Sequence, residues 1–409
     1  MFQRRINTVG EGEIIRISTE DEFKNFRDTY RITTFHMIVG QLYPNPETDR
    51  QRAICIGAII ISVTPVTAMI LLDVYNSWLR RDIVNIIRHM TIIGPLSFTL
   101  LKMILFFMRR SEAYQIIKTI DNDYSSYNTL PEPHKVIARR GVRDTKLYNE
   151  FWWAIVVSLN VVTFPLTAGI LNVYNCLFKS DPKLYMVHDV EKPFSKPEDR
   201  FMSPFYELTF VYMVYCALIF VLSFVGFDSF YGITINHVCL KIKLLCLRLD
   251  DAMMETDSDA IFKKMVDVVK QHNAVFRMVD LVQDTFNIWL GIILLATMAQ
   301  ICNCMYQIIE GYGIDIRYLM FIIATMVHIY MPCRYAAKLK DAAAEVSNRV
   351  YCSGWERTSD LRARRMAMFM IARAQIPVNI TAFNMVNFDM ELFVSIMQTS
   401  YSLFTLLRP

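Results

Sequence analysis

Charged residues divide this chain into long uncharged blocks. The seven blocks, called S1 to S7, are Ala53–Leu72, Ile83–Met108, Phe151–Phe178, Leu208–Phe227, Thr285–Ile309, Tyr318–Cys333 and Leu392–Leu407, and only S2 contains charges, Arg88 and Lys102. A helix needs about 20 mostly apolar residues to cross the ~30 Å hydrocarbon core of a bilayer. The pattern therefore predicts an all-α membrane protein with seven transmembrane helices.

Apolar positions at helical spacing continue beyond three of these blocks. Residues 235–249 continue S4, and Ile261 and Met265 precede S5 on one helix face. A helix from Ile261 to Ile309 would be on the order of 70 Å long, far more than a bilayer requires. The Ala-rich residues 334–355 continue S6. Because such apolar stripes must be buried, we expect them to form a cytosolic helical bundle, with S1 and S3 ending near the membrane edge.

Residues 359–375 form a further amphipathic segment before S7. Ser359 or Asp360 is placed to cap its start, and Pro377 ends it. The segment lies either on the inner leaflet or in the bundle, and we favour the bundle because S7 follows directly and needs a fixed position. The predicted organisation is a cytosolic N-terminal segment 1–52, transmembrane S1–S4 53–235, a helical extension 236–284, transmembrane S5–S6 285–335, a second extension 336–376, and the S7 helix 377–409.

Basic residues orient the predicted spans. The chain has 409 residues, 54% of them hydrophobic, and Lys and Arg are enriched in the cytoplasmic loops of membrane proteins. With the N-terminus inside, 32 of the 43 Lys and Arg residues lie in cytoplasmic segments and 9 lie outside. We therefore expect a cytoplasmic N-terminus and an extracellular C-terminus.

The chain lacks the motifs of common catalytic and cofactor sites: it has no Gly-rich phosphate loop, HExxH, CxxC or GxSxG. We expect no enzyme activity, metal site or cofactor. A transporter would usually need a midplane charge and internal repeats, whereas Arg88 and Lys102 lie within snorkelling reach of a helix end. Cys176, Cys302 and Cys304 fall near the predicted outer surface, and their spacing leaves a disulfide from Cys176 to either of the others open.

S7 carries a polar stripe on one helical face, Glu391, Ser395, Gln398, Ser402 and Thr405, with Thr399 beside it. Hydroxyls and amides bind water around a passing ion, and a carboxylate at one end attracts cations. The alternative is hydrogen bonding to neighbouring helices. A pore lined by one helix per subunit requires several subunits about an axis, and Leu406 is the candidate hydrophobic gate.

The C-terminal residues carry a recognisable set of positions: Tyr351, Trp355, Gln375, Pro377, Thr381, Ala382, Glu391, Phe393, Ser395, Ile396, Thr399, Tyr401, Ser402, Phe404 and Leu407. In this set, and above all in TSYSLFTLLR, the chain resembles the insect odorant receptors. It departs from the family at Phe383, where Gly is usual, and at NFDM, residues 387–390.

The resemblance implies a subunit of an odorant-gated, non-selective cation channel in the plasma membrane of olfactory sensory neurons. Family subunits form tetramers in which a tuning receptor joins a shared co-receptor, four S7 helices line the pore, and the cytosolic bundle, called the anchor, carries most subunit contacts. It also implies Leu406 at the gate position, contact with membrane lipid, and no need for a G protein or nucleic acid. Whether this chain forms a homotetramer or a heterotetramer stays open.

The resemblance also implies that a volatile hydrophobic odorant binds between S2, S3, S4 and S6 in the outer half of the membrane. The predicted topology places these residues there: His89, Ile92, Ile93, Ser158, Val161, Val162, Phe164, Tyr206, Phe210, Met213, Val214, Tyr318, Phe321, Ile322 and Thr325. Such a wall would hold a small molecule mainly by apolar burial, at roughly 25 cal/mol per Å². Ordinary helix packing is the alternative for each residue.

A seven-helix G-protein-coupled chemoreceptor is the main alternative function. That class has its N-terminus outside, which would put most basic residues on the wrong face of the membrane. Its Asp-Arg-Tyr and Asn-Pro-x-x-Tyr motifs do not occur in this sequence. Both observations favour the channel.

Overall fold

Long helices dominate the computed structural model, which describes residues 22–179, 184–193, 195, 197–309 and 316–407. The α-helices are α1 Phe26–Thr29, α2 Arg31–Val39, α3 Asp49–Leu79, α4 Ile83–Met108, α5 Arg110–Tyr127, α6 Glu132–Thr145, α7 Trp153–Phe178, α8 Phe205–Met253, α9 Ser258–Ile309, α10 Ile316–Tyr351, α11 Leu361–Ala374 and α12 Met390–Leu407. A π-helix, Lys146–Trp152, joins α6 to α7, and the strands β1 Thr381–Ala382 and β2 Val386–Asn387 pair antiparallel. Short 3-10 turns occur at Pro46–Thr48, Pro197–Phe201 and Trp355–Arg357.

Six helical segments in the described part of the chain are long and apolar enough to cross a membrane, judged by length and composition. They contain the predicted S1 to S6. The seventh predicted span, α12, is not among them, because its polar stripe lowers its mean hydropathy. The all-α fold of a multi-pass membrane protein is thereby confirmed, and the orientation of the termini stays a prediction.

Three helices extend far beyond one membrane thickness, as their apolar periodicity predicts. α8 has 49 residues, α9 has 52 and α10 has 36, which makes α9 ~80 Å long at the rise of an α-helix. The prediction that S3 ends near the membrane edge is wrong. α7 continues through the π-helix into α6, so that one helical segment runs from Glu132 to Phe178.

α8 lies at the centre of the molecule. Nearly every residue from Ser223 to Leu249 is buried, because α2, α4, α6, α7, α9 and α10 surround this half of the helix. We call the end of the bundle that carries the turn at 80–82 and residues 184–193 the loop end. The opposite end, built from the long extensions of α8, α9 and α10, is called the extension end.

α11 belongs to the extension end. Asp360 caps it by accepting hydrogen bonds from the backbone N–H groups of Arg362 and Ala363, at 2.7 and 3.4 Å. Its small buried residues, among them Ala363 and Ala367, pack against α9 and α10. This placement agrees with the prediction that the segment joins the helical bundle.

A β-hairpin precedes α12, so the prediction that residues 377–409 form one helix is wrong for residues 377–389. Backbone N–H groups of the hairpin donate to side-chain oxygens of Gln283 and Asn287 on α9, each at 2.9 Å. The hairpin therefore fixes the start of α12 against α9.

Candidate ligand cavity and pore-facing helix

A cavity of about 120 Å³, here the first cavity, lies near the loop end between α3, α4, α7, α8 and α10. Nearly all of its wall is apolar. The lining residues are Val66, Ile70, Ile92, Pro95, Leu96, Asn160, Val161, Phe164, Pro165, Val187, His188, Met213, Cys216, Ala217, Phe220 and Phe321.

Two prolines contribute to this space. Pro95 lies inside α4 and Pro165 inside α7, and both line the first cavity. A proline inside a helix removes one backbone hydrogen bond and bends the helix. Each of these two helices therefore lacks one backbone hydrogen bond beside the first cavity.

One buried polar side chain on this wall has an unused hydrogen-bonding atom. Asn160 is 6% exposed, and its Oδ1 has no partner within the described part of the chain. Leaving a buried polar atom unpaired costs about 1–3 kcal/mol. Asn160 therefore marks the point at which a ligand with a hydrogen-bonding group would be held. Sequence reasoning missed it, although it is a polar residue in the middle of an apolar block.

Residues 184–193, here the lid loop, cover the first cavity. His188 is buried, and its Nε2 lies 3.1 Å from Nδ1 of His89. Arg88 pairs with Asp189 at 3.3 Å. Burial, together with the nearby His89 and Arg88, lowers the pKa of His188 well below its usual value, so the ring is neutral at pH 7. The lid is thus joined to the start of α4 by polar contacts.

Five of the predicted odorant-binding residues lie on the wall of the first cavity: Ile92, Val161, Phe164, Met213 and Phe321. Others lie beside it: His89 contacts the lid loop, Phe210 and Ile322 pack in adjoining apolar clusters, and the Tyr206 hydroxyl hydrogen-bonds to Asn172 and to the backbone of Tyr185. Ile93 and Thr325 line a neighbouring cavity between α4, α8, α9 and α10.

The remaining predicted residues, Ser158, Val162, Val214 and Tyr318, lie off both walls. Adjacent positions of a helix differ by about 100°. Val162 therefore faces outward, at 48% exposed, where Val161 faces inward, and Val214 differs from Met213 for the same reason. The assignment of these four residues to an odorant site therefore finds no support in either cavity.

The prediction that Lys102 snorkels to the interface is wrong. Its side chain is fully buried, and its Nζ lies 2.6 Å from Oδ1 of Asp228. The other Asp228 oxygen lies 3.0 Å from Nε2 of His328, and the Phe224 ring centroid lies 3.5 Å from the Lys102 ammonium. The charge is thus compensated by an acid and an aromatic face rather than by the membrane surface.

The disulfide left open by the cysteine spacing is not formed. All nine cysteines are free thiols. Cys176 is exposed on α7, whereas Cys302 and Cys304 are buried on α9.

α12 exposes its polar stripe. Glu391, Ser395, Gln398, Thr399, Ser402 and Thr405 are all exposed. The candidate gate residue Leu406 is 81% exposed, whereas Ile396, Ser400 and Phe404 on the opposite face are buried where α12 meets α9 and α10.

Among the described residues, the exposed hydroxyls of α12 make no hydrogen bond to a neighbouring helix. Those of Ser402 and Thr405 donate to backbone carbonyls of α12 itself, at 3.0 and 2.8 Å. The alternative that the stripe holds helices of one subunit together is therefore disfavoured within the described residues.

Comparison with known proteins gives consistent results. The family model described as 7tm Odorant receptor matches residues 82–401. The chain is similar to Odorant receptor 13a of Drosophila melanogaster, with 24% identity over 221 residues that cover 50% of this chain and 53% of that one. It is also similar to Odorant receptor 85b of the same fly, with 27% identity over 205 residues, covering 47% and 52%. The chain spans about half the length of the curated relatives that it matches.

The fold is also similar to that of a solved receptor. The structure of the insect olfactory receptor OR5 from Machilis hrabei in complex with eugenol superimposes with a TM-score of 0.73, covering 93% of this chain and 99% of that one at 13% identity. A second structure of the same receptor gives a TM-score of 0.71, with coverage of 92% and 96% at 13% identity.

Proposed function

The chain belongs to the insect odorant receptor family, and on that premise we propose that it is the tuning subunit of a ligand-gated, non-selective cation channel. The observation that carries the proposal is the exposed polar face of α12. A membrane helix gains nothing by turning six polar side chains toward lipid. The same face suits a water-filled axis shared by four subunits, this chain together with the family co-receptor, in the plasma membrane of olfactory sensory neurons.

The proposed ligand is a small volatile molecule, mostly apolar, that occupies the first cavity. The apolar wall would supply affinity by burial, and Asn160 would select ligands with a hydrogen-bonding group. The Machilis hrabei receptor with this fold was solved in complex with eugenol, which supports a small organic ligand here.

The proposed mechanism is a shift of population between closed and open channels. A ligand in the first cavity touches α4, α7, α8 and α10, and α10 packs against α12. A ligand that binds more tightly to the open arrangement favours it by that difference in affinity. In the open state Leu406 moves away from the axis and the pore fills with water.

A recording from purified protein separates this proposal from a G-protein-coupled receptor. The chain and its co-receptor would be reconstituted into vesicles without nucleotides or G proteins. We expect odorant-dependent cation current under these conditions. An odorant that acts only after a G protein is added would overturn the channel function.

The gate is tested by Leu406→Ala. Removing an exposed apolar side chain from the narrowest part of a pore lowers the barrier to wetting, so we expect a raised current without ligand in cells that also express the co-receptor. Leu403→Ala, on the flank of α12, is the matched control and should leave the ligand-free current unchanged. Equal basal currents in both variants at equal surface expression would exclude Leu406 as the gate.

A further inference from the structure

A second cavity, of about 400 Å³, lies beside the first between α4, α8, α9 and α10. Pro95, Phe220 and Phe321 belong to both walls, so the two spaces adjoin. α9 lines only the second cavity, whereas α3, α7 and the lid loop line only the first. The volume falls within the ~300–1,000 Å³ that is usual for sites that bind small organic molecules.

The wall of the second cavity has an aromatic side and a polar side. Phe98 and Phe224 form part of the aromatic side. The polar side is a face of α9 with Thr297, Gln300 and Asn303 at successive spacings of three, which places them next to one another on the helix. Such a wall favours a molecule with an apolar body and one polar end.

Two of these polar groups have no hydrogen-bond partner among the residues that the structure describes. Thr297 is 2% exposed, and its hydroxyl makes no hydrogen bond within the described part of the chain. The side-chain amide of Asn303 likewise has no bond to any described residue. Gln300, in contrast, donates from Nε2 to the backbone carbonyl of Thr91 at 3.1 Å. Both groups lie on the cavity wall and are free to hydrogen-bond to a ligand there.

We propose that the second cavity is a separate binding site for a small amphiphile, such as a medium-chain alcohol. Its hydrocarbon part lies against Phe98, Phe224 and Phe321, and its hydroxyl exchanges hydrogen bonds with Thr297 and Asn303. The choice of ligand class rests on the proposed role as a receptor for volatile molecules, whereas the site itself rests on the geometry. A molecule in the second cavity would contact α9. α9 also packs against α12, the helix proposed to line the pore.

Photolabelling tests the site without any measurement of current. The probe is a medium-chain alcohol that carries a diazirine, applied to the purified full chain in lipid nanodiscs, and the labelled peptides are mapped by mass spectrometry. We expect labelling within residues 293–303 of α9 that saturates and that the same alcohol without the diazirine competes away. Labels found only on α7 or the lid loop would place all binding in the first cavity and overturn the proposal.

Matched variants identify the cavity that holds the probe. Ala296→Phe fills the second cavity and should abolish the saturable α9 label, whereas Ala217→Phe fills the first and should leave it in place. Thr297→Val keeps the shape but removes the hydroxyl, and it should lower the label roughly fivefold, the effect of one net hydrogen bond. An α9 label that neither competes nor responds to these changes comes from probe dissolved in the bilayer and refutes the site.

A receptor without ligand-gated current but with the expected label would refute only the channel function.

Discussion

At the scale of single residues, Asn160 is the residue through which we propose that the first cavity selects its ligand. We expect Asn160→Leu to weaken the response to an odorant alcohol about fivefold, because one hydrogen bond to the buried amide is worth ~1 kcal/mol net. The response to a hydrocarbon of the same shape should stay equal or become stronger. Dose–response curves of odorant-evoked current for the two ligands measure the difference.

Ser158→Ala is the control for this experiment, since Ser158 lies on the same helix but off both cavity walls. It should leave both dose–response curves where they are. If Asn160→Leu shifts the alcohol and the hydrocarbon equally, the residue acts on folding or gating and does not bind the polar group.

Lys102 and Asp228 form a second residue-scale feature with a measurable energy. Removing one partner of a buried ion pair leaves an uncompensated charge and costs about 3–5 kcal/mol, whereas replacing both by apolar residues is often close to neutral. We therefore expect Lys102→Met to lower the melting temperature of the solubilised receptor strongly. The double variant with Asp228→Leu should recover most of the loss, as measured by thermal denaturation followed by size-exclusion chromatography. Equal melting temperatures for the single variant and the wild type would mean that the pair is not formed.

At the scale of elements, the hairpin before α12 is fitted to α9 by shape as well as by hydrogen bonds. Phe383 and Asn384 form its turn with φ angles of +51° and +56°. The Phe383 ring lies directly over Gly291: a Cβ atom at Gly291 would come within 2.1 Å of Phe383 Cε2. The aromatic side chain of Phe383 thus packs against the backbone of a glycine, Gly291, which lies one turn beyond Asn287 on α9.

This contact predicts a coupled pair of substitutions. Gly291→Ala forces the ring out of its place and should destabilise the receptor by about 1–3 kcal/mol, as overpacking does. Phe383→Ala removes the ring, so that the added methyl group in the double variant meets no obstacle. A double-mutant cycle of melting temperatures should therefore show strong non-additivity. Additive effects would show that the two residues do not touch.

The same elements show what could be predicted from sequence. α8, α9 and α11 follow from apolar spacing within one segment, and residue type limits the cap of α11 to Ser359 or Asp360, of which the structure uses Asp360. The hairpin could not be predicted, because strands of two residues have too little alternation to recognise. Its partners Gln283 and Asn287 lie about a hundred residues away in the chain.

At the scale of the whole molecule, the two cavities depend on which helix faces meet. The sequence could not distinguish Val161 and Met213, which line the first cavity, from Val162 and Val214, because S3 and S4 are apolar on most of their faces. Sequence reasoning also missed Asp228, which lies one residue beyond the uncharged block S4. Its role as the partner of Lys102 is visible only once α8 is packed beside α4. The α12 stripe was predictable because its polar and apolar faces differ along one helix.

The exposed stripe makes a prediction about the assembled channel that does not depend on the ratio of subunits. If α12 faces a shared water-filled axis, a cysteine at Ser402 will meet ions that pass through the open pore. We expect a positively charged thiol reagent to reduce current through Ser402→Cys channels within seconds to minutes, and much faster with odorant present than without it. Ser400→Cys is the matched control, because Ser400 is fully buried on the opposite face, where α12 packs against α9 and α10. Its current should persist under the same reagent. Equal block of both variants, or of neither, would show that the polar face of α12 does not line the ion path.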